Sequence, residues 1–322
     1  MFFFAQNRRK NSRRHFASFL FVTVGVAFSL LANNALAAKA KPAQFSSPEE
    51  AVAAMVSALQ ENDENKLLTI FGPEGEQIIS SGDEVADESG REHFLKMYTE
   101  KNLLLHESDK RVVLQVGNED WPLPIPIVKE GKSWRFDIKE GKEELLNRRI
   151  GKNELSAIQV CLAYVEAQRE YSEKDANGDG TMDYAMKLMS EEGKKDGLYW
   201  ETQEGEEPSP LGPLMAKARN EGYSDKQSNE DPTPYYGYLY KILTAQGPHA
   251  PDGACDYVVQ GKMIGGFALV AYPAQYGSSG VMTFIVNHDG IVYQKDLGPK
   301  TDSLAGAMEK FDPDKTWKKV EM

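Results

Sequence analysis

The first long, mainly apolar run covers residues 16–31, preceded by Arg8, Arg9, Lys10, Arg13 and Arg14 and followed by Ala35-Leu36-Ala37. A basic start, an apolar middle and a small-residue site make an export leader, so residues 1–37 are expected to be removed by cleavage after Ala37 or Ala38. After a short linker the pattern becomes periodic. Ser47 as cap, Pro48 at the first helical position and Glu50 at the capping-box position open a helix with the stripe Val52, Met55, Val56 and Leu59. Residues 64–71 repeat helical spacing and stop at Gly72-Pro73, and residues 91–105 predict a third helix with Phe94, Leu95, Tyr98 and Leu103 inward. Strand-like runs then take over at 112–116, 125–128 and 133–137, the last two joined by a turn at 130–132.

A long helix is expected from about 153 to 172. Leu155, Ile158, Leu162 and Val165 give one stripe and Val160, Tyr164 and Tyr171 a second, as in a helix wrapped by a sheet. An acidic loop at 175–183 precedes a helical stretch to about Met189. Polar or Gly/Pro-rich loops at 204–213 and 224–234 flank a short helix at 214–220. From Tyr235 the chain reads as strands at 238–243, 257–259, 266–272, 281–286 and 291–294, with Asn287-His288-Asp289-Gly290 turning between the last two. Helices with a curved sheet, then one long helix with an antiparallel meander, make an α+β chain of two domains, 46–147 and 150–322.

Charge narrows the function. Lys and Arg number 37 against 49 Asp and Glu, a net charge of −12. Removing the five basic residues of the leader leaves 32 against 49, about −17. Such a surface repels phosphate backbones and anionic headgroups, so neither nucleic acid nor a peripheral membrane surface is an expected partner. No Cys follows the apolar run, which excludes a lipid anchor there. The two cysteines, Cys161 and Cys255, leave two alternatives in an oxidising compartment. Either they pair, closing a long loop and stabilising by about 4–5 kcal/mol in the chain-entropy model, or Cys161 is a buried thiol on an apolar helix face.

Candidate chemistry is sparse. No Gly-x-Ser-x-Gly elbow, His-Glu-x-x-His helix or Gly-rich phosphate loop occurs, and His93, His106, His249 and His288 lack companions at metal-ligand spacing, so no catalytic residue is assigned. Asp175, Asn177, Asp179, Thr181 and Asp183 stand at the odd positions of an EF-hand-type loop with Gly180 at its sharp turn. Met186 replaces the bidentate Glu that would close the site, so Ca²⁺ binding is expected to be weak, ~10⁻⁴–10⁻³ M. The same residues also suit a plain Asn-Gly/Asp-Gly turn. Arg148 and Arg149 either bind a carboxylate or phosphate or cross-link the two domains to acidic partners, the second being favoured. Tyr236, Tyr238 and Tyr240 share a strand face, suited to a glycan or peptide but more often to cross-strand packing. Trp121 and Trp134 either line a cavity or pack the core.

Ser12-Arg13-Arg14-His15-Phe16 resembles the twin-arginine export motif, with Ala17-Ser18 where that motif prefers Leu-Lys. Helices followed by a strand–turn–strand ending in Gly131-Lys132-Ser133-Trp134-Arg135-Phe136 resemble the curved-sheet cone of nuclear-transport-factor-like domains, which implies a cavity that hosts enzymes in other families. The long helix with the later strands resembles the globular part of type IV pilins and pseudopilins. A preceding domain departs from that family, so only the fold analogy carries over. From about Ser47 to Trp317 the chain resembles an exported bacterial family catalogued as a domain of unknown function, number 2950. The carrying phrases are Gly117-Asn118-Glu119-Asp120-Trp121-Pro122, Leu146-Asn147-Arg148-Arg149-Ile150-Gly151, Ile242-Leu243-Thr244-Ala245-Gln246-Gly247, Met263-Ile264-Gly265-Gly266-Phe267-Ala268 and Tyr293-Gln294-Lys295-Asp296-Leu297-Gly298. That resemblance implies a periplasmic or envelope protein with no catalytic residues assigned. The expected function is a non-enzymatic exported protein, periplasmic or secreted, that binds an envelope protein or glycan or acts as a scaffold. The alternative is a hydrolase or isomerase using the N-terminal cone.

Overall fold

The computed structural model describes residues 41–178, 180–203, 205–223 and 233–321, so the expected leader lies outside the described residues. Four helices open the described chain: α1 Pro48–Gln60, α2 Glu64–Phe71, α3 Glu76–Ile79 and α4 Glu84–Glu100. Local side chains start three of them. Ser47 Oγ accepts from Glu50 N at 3.2 Å, Asp63 from Lys66 N at 3.0 Å and Asp83 from Ala86 N at 3.0 Å, each satisfying an amide that a helix start leaves unpaired. The Glu50 carboxylate accepts from Ser46 N at 2.8 Å, one residue beyond the usual capping-box partner. α2 ends where Gly72 takes a φ of 75°.

The expected third helix is displaced: it occupies α4, and Leu103-Leu104-Leu105 belong to a strand. That triplet has no helical stripe behind it. Leu103 and Leu105 point outward, 49% and 42% exposed, while Leu104 lies opposite Leu114. The first sheet comprises β1 Asn102–Ser108, β2 Arg111–Val116, β3 Trp121–Pro122, β4 Ile127–Glu130 and β5 Ser133–Phe136, antiparallel in the order β1-β2-β4-β5 with β3 on β2. Register sets Val112 beside Ile127 and Ile127 beside Phe136, a buried row against which α1 and α2 lay Val52, Met55, Leu67 and Phe71. Phe71 meets Phe136 edge-on, ring centroids 5.2 Å apart.

α5 is one helix from Ile138 to Ser172 and so begins well before the expected start near 153. Residues 139–152 read as polar, yet Ile138, Gly141 and Leu145 at spacings of three and four suffice to seat this half on the first core. The same helix carries Ala157, Ile158, Cys161, Tyr164 and Val165 into a second core, so the positions 147–150 lie within it. Leu155, expected in the apolar stripe, faces solvent.

Beyond α5, the described residues 183–189 are not helical as expected. Tyr184 bridges Met263 and Met189 bridges Tyr199, and the buried Gln168 amide both accepts from Ala185 N and donates to Ala185 O, each at 2.8 Å. Those contacts occupy the backbone groups that a helix would need. α6 spans Gly212–Asn220. Then come β6 Tyr238–Leu243, β7 Ala245–Gln246, β8 Cys255–Asp256, β9 Val258–Val259, β10 Lys262–Met263, β11 Ala268–Pro273, β12 Met282–Asn287, β13 Tyr293–Asp296, α7 Thr301–Gly306, β14 Lys310–Phe311 and β15 Lys318–Lys319. The main sheet runs β15-β13-β12-β11-β6, all antiparallel, and β14 joins β7 in parallel in a small sheet β14-β7-β8. β11 is buried at every position, as a strand covered on both faces must be, and α5 and α7 both pack on it. Helices with one antiparallel sheet, then a long helix with another, make the chain α+β. Among the described residues no helix is long and apolar enough to cross a membrane.

Candidate ligand-binding cavity

α4 is a 17-residue helix without one buried residue. Its apolar residues Phe94, Leu95, Met97 and Tyr98 are only partly covered, although they face the first core. The surface beneath them is hollow. A cavity of about 930 Å³ opens among α4, the ends of β2 and β3, and the first half of α5. Met55, Leu67, Phe71, Ile79, Val116 and Ile125 line it, with Phe94 and Met97 from α4. This volume lies within the ~300–1,000 Å³ typical of small-molecule sites.

The polar groups on its wall differ in how far they are satisfied. Arg149 donates to Gln77 O at 2.8 Å and Ile78 O at 2.6 Å and lies 4.0 Å from the Asp87 carboxylate. Burial lowers its pKa and Asp87 partly offsets that. Arg149 therefore caps the carbonyl end of α3, with backbone carbonyls rather than the expected acidic side chains as its acceptors. Arg148 donates to Glu144 at 2.9 Å and lies over the Trp121 ring, 5.5 Å from its centroid. Asp87 also accepts from Ser81 N at 2.7 Å. Arg91 is different: its Nη1 is buried and has no hydrogen-bond partner. Lys152, Glu100 and Glu119 stand at the exposed rim. Trp121 lines the cavity, whereas Trp134 is buried in the first core with Lys129 over its ring.

Sequence patterning did not single out Arg91 or Asp83. Gly90 in mid-helix obscured α4, though Asp83-Glu84 after Gly82 is a helix-start signature. Asp83 is 1% exposed and ties the chain start to its later half. Its carboxylate accepts from Gly237 N at 2.7 Å and Tyr223 OH at 2.9 Å besides capping α4.

The other expected positions lie elsewhere. In the acidic loop Asp175 accepts from Gly180 N at 2.8 Å, Asp183 is buried, and Lys262 donates to the Thr181 hydroxyl. Asn177 is in the same bend, and Asp179 lies outside the described residues. Among the described residues no three His, Cys, Asp or Glu side chains gather as a metal site. Cys161 and Cys255 are unpaired in this structure, Cys161 buried in the second core and Cys255 exposed on β8. Burial pushes the Cys161 thiol up to about 12. Tyr236 sits in the turn before β6 with a φ of 53°, Tyr238 is fully buried beside Phe284, and the Tyr240 hydroxyl donates to Tyr235 O. These tyrosines pack rather than present one open face. His249 faces Asp312 at 3.1 Å, and His288 Nδ1 is buried without a partner.

Fold and cavity together define an α+β protein with two five-stranded sheets and an open hollow of small-molecule size beneath α4. The chain belongs to the family described as protein of unknown function DUF2950, whose model matches residues 42–320. No curated protein and no solved structure matches it.

Proposed function

We propose that this is an exported, non-enzymatic protein that holds a small apolar-bodied molecule in the cavity beneath α4. The observation that carries this is a long helix without a buried residue laid over an apolar hollow. Leaving so much apolar side-chain surface uncovered forgoes ~25 cal/mol per Å², and an occupant would recover it. Residues 1–37 have the form of an export leader, and the acidic remainder suits a freely diffusing protein. A neutral solvatochromic dye such as Nile red tests the cavity. Saturable one-to-one binding is expected, and it should be abolished by Gly90→Phe or Ala86→Phe. Both positions line the hollow, and a Cβ at Gly90 meets nothing within 4 Å. Absence of saturable binding, or binding indifferent to both bulky residues, would reject the cavity as the site.

A weak Ca²⁺ site in the 175–183 loop is a second proposal. It is supported by the Asp175 carboxylate accepting from the amide of Gly180, the bond that closes such a loop. The Lys262 ammonium on the Thr181 hydroxyl would repel a Ca²⁺ held by the Thr181 carbonyl. At ten times its Kd the ion should stabilise the fold by about 1.4 kcal/mol. The melting temperature in millimolar Ca²⁺ is expected to rise, less in Asp175→Ala and more in Lys262→Met. An unchanged wild-type melting temperature would leave the loop a simple turn.

A further inference from the structure

Resting on the cavity proposal above, we infer that the occupant is a single-chain amphiphile whose oxyanion head is held by Arg91. A guanidinium is a permanent cation with five donors, and burying one donor without a partner is costly unless something else supplies the acceptor. Arginines elsewhere in the fold are supplied from within. Arg111 pairs with Glu107 and Glu140, Arg135 with Glu130, Arg148 with Glu144, and Arg149 with two backbone carbonyls.

Arg91 also has a natural partner that it does not use. Asp87 stands one turn earlier on α4, the spacing at which a carboxylate and a guanidinium pair across a helix face. Its carboxylate is instead turned to Ser81 N and towards Arg149. Arg149, itself committed to the end of α3, thus draws away the group that would neutralise Arg91. The result is a guanidinium with one nitrogen unpaired on the wall of a largely apolar hollow. Asp87, Arg148 and Arg149 are engaged there with other groups, and His93, Glu100, Glu119 and Lys152 also line the opening.

That pairing of one guanidinium edge left without a protein acceptor and an apolar floor matches a molecule with one oxyanion and one hydrocarbon chain. Carboxylate and phosphate heads share the chemistry, since both offer oxygen lone pairs to a guanidinium edge. The net negative exterior does not forbid it, because charges beyond ~10 Å are largely screened at 0.1 M salt.

Displacement of Nile red from the full mature chain tests the inference, with decanoate, decyl phosphate and decanol as competitors against wild type and Arg91→Met. Methionine keeps an unbranched stem and high helix propensity, so folding is retained, and the melting temperature checks it. At least one of the two anions should outcompete decanol by roughly 10- to 100-fold on wild type, the range of a charge-assisted hydrogen bond. Whichever is stronger identifies the head as carboxylate or phosphate. Arg91→Met should still bind the dye but rank all three competitors alike. If wild type binds the dye and decanol competes as well as both anions, or if Arg91→Met keeps the anion preference, the head-group assignment fails while the cavity stands. If the dye does not bind wild type at all, both fall.

Discussion

Gly141→Ala should destabilise the protein by about 2–4 kcal/mol, whereas Gly151→Ala, farther along the same helix, should stabilise it by about 0.5–1 kcal/mol. Alanine ordinarily improves a helix interior because glycine has more backbone entropy to lose. At Gly151 nothing opposes that gain: an added Cβ meets no atom within 4 Å. At Gly141 it would lie 2.4 Å from Pro124 O and 2.6 Å from Ile125 N, both backbone atoms that cannot swing aside. The start of α5 would have to lift off the segment leading into β4. Leu145, Arg148 and Arg149 move with it, so dye binding should weaken as well. Urea midpoints of the two variants decide the matter. Equal shifts would mean that α5 does not rest on residues 124–125.

Asp83→Ala should cost about 3–5 kcal/mol and lower the melting temperature by roughly 6–12 °C, since it strands donors from Ala86, Gly237 and Tyr223 in a buried place. Asp83→Asn should cost about 1–3 kcal/mol, because one oxygen becomes a donor facing donors. Burial raises the Asp83 pKa, and the hydrogen bonds from Ala86 N, Gly237 N and Tyr223 pull less strongly the other way. The folded state therefore holds this proton more tightly than the unfolded chain. The stability tied to it is full below the usual carboxylate range and is lost as pH rises through the raised value. Wild type should accordingly lose part of its margin over Asp83→Asn as pH rises from about 3 into the mildly acidic range. A margin that instead grows with pH would show that the carboxylate is held in its charged form.

α1 and α2 were legible in the sequence because their signals are local. Ser47, Pro48 and Glu50 start one helix within four residues, and Asp63 and Gly72 bracket the other. The strands at β2, β5, β6, β11 and β12 were legible for a related reason: β-branched and aromatic residues bounded by turns have few other uses. β1 and the first half of α5 were not. Three leucines fit either period, and a polar helix segment needs only Ile138, Gly141 and Leu145 inward, which matters once Pro124 is known to lie against it.

The candidate site shows the same division more sharply. Composition and pattern by themselves determined an acidic α+β chain with a leader-like start, and they placed Arg148, Arg149 and Trp121 as residues to watch. Only the tertiary structure decided that Arg149 is committed to the end of α3, that Asp87 is turned from Arg91 towards it, and that Asp83 reaches Gly237. A cap or a stripe is settled by neighbours three or four positions apart, so it can be read along the chain. Whether a charge finds a partner depends on groups as remote in sequence as Ile78 from Arg149, brought together only when both cores have closed around α5.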